Sequence, residues 1–162
     1  VGKKKYADVE DDIKAILEQS EALRHELVAL LEADVTAYTK VSEAMKMPRD
    51  TEEQKTARAE AMDKALKNAT GVPLRVAEAC VKIMALCRPT AEKGNINAVS
   101  DAGVAVLMAE AGLRSAALNV LINLSSIKDK AFVAENRARL DALLEGKPAL
   151  KDEIYDLVVK KL

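Results

Sequence analysis

The sequence predicts an all-α protein, an up-and-down antiparallel helical bundle, and three observations carry that expectation. Apolar residues recur at steps of three, four and seven, no segment shows the alternation of a strand, and the periodic stretches are separated by short breaks containing proline or glycine. Connections this short favour antiparallel neighbours. At 162 residues, with 49% hydrophobic and 31% charged side chains and a formal net charge of −1, the chain fits a single domain, 1–162, with an ordinary core.

Taken in order, helices are expected over about 8–46, 52–69, 73–88 and 101–124, then two shorter ones near 130–145 and 149–161. Pro48 closes the first, Gly71-Val72-Pro73 supplies a turn and restart, Arg88-Pro89 ends the third, and Gly146-Lys147-Pro148 separates the last two. Along the first helix Ile13, Leu17, Ser20, Leu27, Leu31, Asp34, Tyr38, Val41 and Met45 trace one stripe at helical period. Asp34 is therefore expected on the core-facing side, where a carboxylate needs a cationic partner, a retained proton or a cleft. The alternative is that it rolls to the stripe's edge and is hydrated or ion-paired. Tyr38 follows one turn later.

The stretch Gly94-Asn95-Ile96-Asn97-Ala98-Val99-Ser100-Asp101 feeds into the helix from about 101. Turn chemistry accounts for Gly94 and the asparagines, and a helix start accounts for Ser100 and Asp101, yet together these side chains also make a compact polar cluster. Further on, Gly112, Ser115, Ala116, Asn119 and Asn123 share a small, polar helix face. Asparagines four apart present their amides in one direction, toward another helix or toward a flat ligand.

Composition excludes several classes. The one basic run, Lys3-Lys4-Lys5, is followed at once by Asp8, Glu10, Asp11 and Asp12, so bulk charge recruits no nucleic acid. A solvated helix start explains the run, with local anion binding as the alternative. No apolar stretch is expected to reach the ~20 residues of a membrane span, and no signal-peptide pattern opens the chain, which reads as cytoplasmic. Cys80 and Cys87 sit seven residues apart on one helix, about 10 Å along its axis, too far to bridge, and are expected as buried thiols. With His25 as the sole imidazole and no paired-cysteine spacing, no metal site is expected, and acid/base chemistry falls to Asp, Glu, Lys or Tyr.

Six segments then carry a resemblance. Gly2-Lys3-Lys4-Lys5-Tyr6, Ala33-Asp34-Val35-Thr36-Ala37-Tyr38, Met47-Pro48-Arg49, Val72-Pro73-Leu74, the Gly94-to-Asp101 turn and Asn119-Val120-Leu121-Ile122-Asn123-Leu124 occur in the order seen in the formiminotransferase-cyclodeaminase C-terminal family, which the chain resembles over nearly its whole length. That family's members are helical bundles working as dimers or higher oligomers. They usually begin with a proline- and glycine-rich loop and a further helix, for which this sequence, starting at Val1, has no counterpart. Ile96 stands where relatives often place proline, a change in loop stiffness more than in chemistry.

The resemblance implies a methenyltetrahydrofolate cyclohydrolase, with formiminotetrahydrofolate cyclodeaminase as the close alternative and a non-catalytic folate- or partner-binding bundle as a third. It implies Asp34 as the acid/base, matching the family's helix aspartate, with Tyr38 orienting it. Substrate binding is assigned to Asn97, Ser100 and Asp101 on the pterin, with Asn95 in the same turn, to Lys3, Lys4 and Lys5 on the glutamate tail, to Tyr6 at the same entrance, and to Asn119 and Asn123 as a polar wall or a helix clasp. A tetrahydrofolate derivative is the expected substrate, with no permanent cofactor or metal, and a homodimer is the expected assembly.

Overall fold

The computed structural model describes residues 2 and 4–162, so Lys3 of the basic run lies outside the described residues. The elements are all helical, with no strand among the described residues, as expected. A 3₁₀ turn over Lys4–Val9 leads into α1, Glu10–Lys46. Glu10, Asp11 and Asp12 suit the positive end of the helix dipole. At the other end Met47 adopts the extended backbone that a following proline imposes.

α2 spans Glu52–Lys93 and starts from a capping box, in which Thr51 Oγ1 accepts from the Gln54 N–H at 3.2 Å and Gln54 Oε1 accepts from the Thr51 N–H at 3.2 Å. The two helices expected over 52–69 and 73–88 are thus one, running through Gly71-Val72-Pro73 and past Pro89. Burial of Thr70, Pro73 and Leu74 against neighbouring helices outweighs the local cost of proline. The helix ends at Gly94, where a Cβ would lie 2.5 Å from the Thr90 carbonyl oxygen. A 3₁₀ turn over Ile96–Ala98 opens α3, Val99–Leu124. Asp129 caps α4, Lys130–Leu144, and Gly146, at φ +69°, makes the left-handed turn into α5, Lys147–Val159.

α2 is the central helix: α1 and α3 both pack on it, and α4 and α5 close over α3 and α2. One core cluster joins Ala37 and Val41 of α1 to Leu74, Val120, Leu124 and Leu140, and a second joins Ala77 and Met84 to Val106, Leu113 and Ile154. Small residues set the spacing between α2 and α3. At Gly112 a Cβ would come within 3.1 Å of Cys80 Sγ.

Two expectations need correcting. The core-facing line of α1 is Leu23, Leu30, Ala37, Val41 and Ala44, so the helix is rotated from the expected stripe and leaves Leu17, Leu31, Tyr38 and Met45 exposed. Alanines at 37 and 44 share the core line with Leu23, Leu30 and Val41 and allow close approach to α2, while Leu31, Tyr38 and Met45 lie to the side. A stretch long and apolar enough to cross a membrane, by length and composition, does exist in Ile96–Leu124. Its alanines and valines raise the hydropathy, and this segment holds α3, which packs against α2, α4 and α5.

Candidate active-site groove

Between α1 and α3, floored by α2, lies a groove of about 480 Å³. Leu27, Leu31 and Asp34 form its α1 wall, Val72, Pro73 and Val76 its α2 wall, and Gly112, Ser115 and Asn119 its α3 wall. The lining is mainly apolar with a few polar groups, the usual character of a small-molecule site. Asp34 is not on the core-facing side of α1: with the helix rotated it is solvent-exposed, as in the stripe-edge alternative, and it lines the groove. Asn119 Nδ2 donates to the Ser115 carbonyl at 3.3 Å, one turn back, and both side chains remain accessible.

The remaining assigned residues are not gathered here. Tyr38 is 71% exposed and is not among the residues lining the groove. Asn123 turns away from the groove and Nδ2 donates to the Ala69 carbonyl of α2 at 3.0 Å, which is the helix-clasp alternative. Asp101 lies 18 residues before Asn119 on α3, about 27 Å along the axis. The carbon that reacts in a methenyl folate is bonded to the pterin's own N5, so a side chain that far from Asp34's groove cannot hold the pterin in the same protomer.

Asp101 and Asn95 instead line a second cavity, about 370 Å³, with Ile13, Leu17, Ile83 and Cys87. Here Tyr6 and the turn do meet: Tyr6 Oη donates to Asn95 Oδ1 at 3.2 Å and accepts from the Ile96 N–H at 3.3 Å, while Asn97 N–H donates to the same Asn95 oxygen at 3.2 Å. Asn95 is therefore committed as a turn cap. Asn97 and Ser100 are exposed and line neither cavity. Lys4 and Lys5 are exposed, with Lys5 Nζ 5.5 Å from the centre of the Tyr6 ring. They precede Glu10, itself about 36 Å along α1 from Asp34, farther than a folate monoglutamate reaches.

The sequence reading left Ser115 and the Val72-Pro73-Val76 wall unassigned. Ser115 was legible four residues before Asn119 on the same face, whereas the α2 wall emerges only when α2 is seen to be continuous. Both cysteines are free and buried, and burial pushes the Cys87 thiol up to about 11. Its Sγ donates to the Ile83 carbonyl at 3.2 Å.

The formiminotransferase-cyclodeaminase family model matches residues 1–142. The chain belongs to this family. Within it, the chain is 48% identical to a methenyltetrahydrofolate cyclohydrolase of Methylorubrum extorquens, over all of this chain and 78% of that protein. It is 34% identical to the formimidoyltransferase-cyclodeaminase of Sus scrofa over 89% of the chain, which spans only 27% of that longer protein. The crystal structure of formiminotetrahydrofolate cyclodeaminase from Thermotoga maritima superposes with a TM-score of 0.76 at 32% identity, covering 99% of this chain and 74% of that one. The family match stops short of α5, whose Ile154 and Val158 are nevertheless buried in the bundle.

Proposed function

We propose that this family member is a methenyltetrahydrofolate cyclohydrolase that converts 5,10-methenyltetrahydrofolate and water to 10-formyltetrahydrofolate and a proton. The observation that carries the reading is the 48% identity, along the entire chain, to a protein of that name, with Asp34 standing in the groove where the chemistry needs a carboxylate. The substrate carbon is part of a delocalised N5–C–N10 cation, which an anion at Asp34 attracts. Water adds to that carbon as Asp34 takes its proton. The tetrahedral adduct then collapses: the C–N5 bond breaks as N5 recovers the proton from Asp34, and the adduct's hydroxyl gives up its own proton to solvent as it becomes the formyl carbonyl on N10. One positioned acid/base of this kind contributes about 10²–10⁴-fold. Ser115 and Asn119 supply the polar contacts for the pterin edge, and the α2 wall packs on its apolar face.

The solved cyclodeaminase, at 32% identity, favours a second reading in which N10 attacks a formimino carbon and Asp34 protonates the departing ammonia. The proposal includes a homodimer, a cytoplasmic location in keeping with the free thiols of Cys80 and Cys87, and chemistry that needs no resident metal or cofactor. Absorbance decay of 5,10-methenyltetrahydrofolate above the spontaneous rate, reduced at least about a hundredfold in Asp34→Asn, is the expected result. Decay unchanged in that variant sinks the Asp34 role, and ammonia release from formiminotetrahydrofolate without methenyl hydrolysis moves the assignment to the second reading. Dialysis against EDTA should leave the rate unaltered; loss restored by one added metal would contradict the metal-free route.

A further inference from the structure

We infer that Asn123 is a positioning residue for the Asp34 groove, acting by completing the hydrogen bonding of α2 where Pro73 interrupts it. Proline has no N–H, so the helical carbonyl four residues earlier loses its partner. For Pro73 that carbonyl belongs to Ala69, in a turn where Ala69, Thr70, Pro73 and Leu74 are all buried. Buried carbonyls are almost always paired, and here the partner comes from another helix: Asn123 Nδ2 of α3 donates to the Ala69 oxygen at 3.0 Å. Thr70 does not substitute, because its hydroxyl donates to the Leu66 carbonyl at 2.8 Å.

The interrupted turn is also a wall of the site. Val72 and Pro73 line the groove that holds Asp34, and Asn119, one turn before Asn123 on α3, lines its other side. Small residues set the overall spacing of α2 and α3, and this carboxamide holds the interrupted turn of the apolar α2 wall against α3. Asn123 itself touches no substrate; it holds in place the wall that does.

The kinetic part of this inference rests on the cyclohydrolase reading, whereas the clasp is independent of it. The test is a cycle in the full chain of Asn123→Ala, Pro73→Ala and the double variant. Asn123→Ala should raise KM for 5,10-methenyltetrahydrofolate about tenfold with kcat within about twofold, since an apolar wall binds ground and transition states alike. It should also speed deuterium uptake selectively across 70–78. In the Pro73→Ala background residue 73 supplies the missing N–H, and both effects of removing Asn123 should shrink to near nothing. Equal effects in both backgrounds, or a uniform rise in exchange over the whole chain, overturn the proposal, as does coupled exchange with KM unmoved. Absence of turnover in the unsubstituted protein would refute the cyclohydrolase reading, while the exchange cycle still decides whether Asn123 holds the wall.

Discussion

Asp34 and Cys87 line different cavities of this bundle and differ in what their surroundings allow. Asp34 is open to water and does not carry the desolvation cost of a buried charge. Cys87 lies on the apolar side of the second cavity, and burial holds its thiol near 11, against 9.0 for a free thiol. The thiolate is the reactive form, so Cys87 in the native protein should react with a disulfide reagent at pH 8 far more slowly than in the urea-unfolded chain. Equal rates would show that the thiol is accessible. The sign for stability follows from the same shift: the unfolded chain releases the thiol proton first, so Cys87 lowers stability progressively as pH rises from 9 toward 11. Urea midpoints of Cys87→Ser should lack that part of the alkaline decline.

At the scale of elements, side chains repeatedly supply what the backbone lacks. Asn123 serves α2 at Pro73, and Asp129 serves α4 by accepting from the N–H groups of Ala131 and Phe132, both at 3.1 Å. Asp129 also receives Lys67 Nζ at 2.9 Å, tying the start of α4 to α2. The Lys67 hydrogen bond, with that of the Phe132 N–H, holds the Asp129 carboxyl below its ordinary 3.8. A depressed folded-state value stabilises above the unfolded pKa and is lost as pH falls through the folded one. Asp129→Asn keeps a capping oxygen but gives up the charge, so its thermal midpoint should lie below that of the unsubstituted protein at pH 7 and converge with it as pH falls through the lowered folded-state value. A constant difference across that range would mean that the ion pair contributes nothing.

For the whole molecule, the apolar residues that do not enter the core are as informative as those that do. Val28, Leu31, Val35 and Tyr38 on α1, and Val104, Met108, Leu118 and Ile122 on α3, are all more than half exposed. Monomeric proteins rarely leave that many large apolar side chains in water, and self-complementary faces are the commonest way to cover them. This is the support for the homodimer within the proposed function. Val35→Lys with Ile122→Lys lies outside the Asp34 groove and should shift the sedimentation species from dimer to monomer while far-ultraviolet dichroism stays helical. A single monomeric species already present in the unsubstituted protein at micromolar concentration would reject the dimer.

The sequence by itself determined the helical class, the stop at Pro48, the free thiols and the family, because each depends on local backbone chemistry or on residue order. It also marked Asp34 and Asn119 as groove candidates, through helical spacing joined to an unexpected polar group. Tertiary structure decided the rotation of α1, since a wide apolar face can be turned toward or away from α2 without changing its period. It decided the continuity of α2, where a donor from α3, 54 positions later, compensates a proline that local rules read as a break. It also placed Asp34 and Asn119 at one cavity, Asn95 and Asp101 at another and the remaining assigned residues at neither, because residues on the same helix can be separated by many turns along its axis.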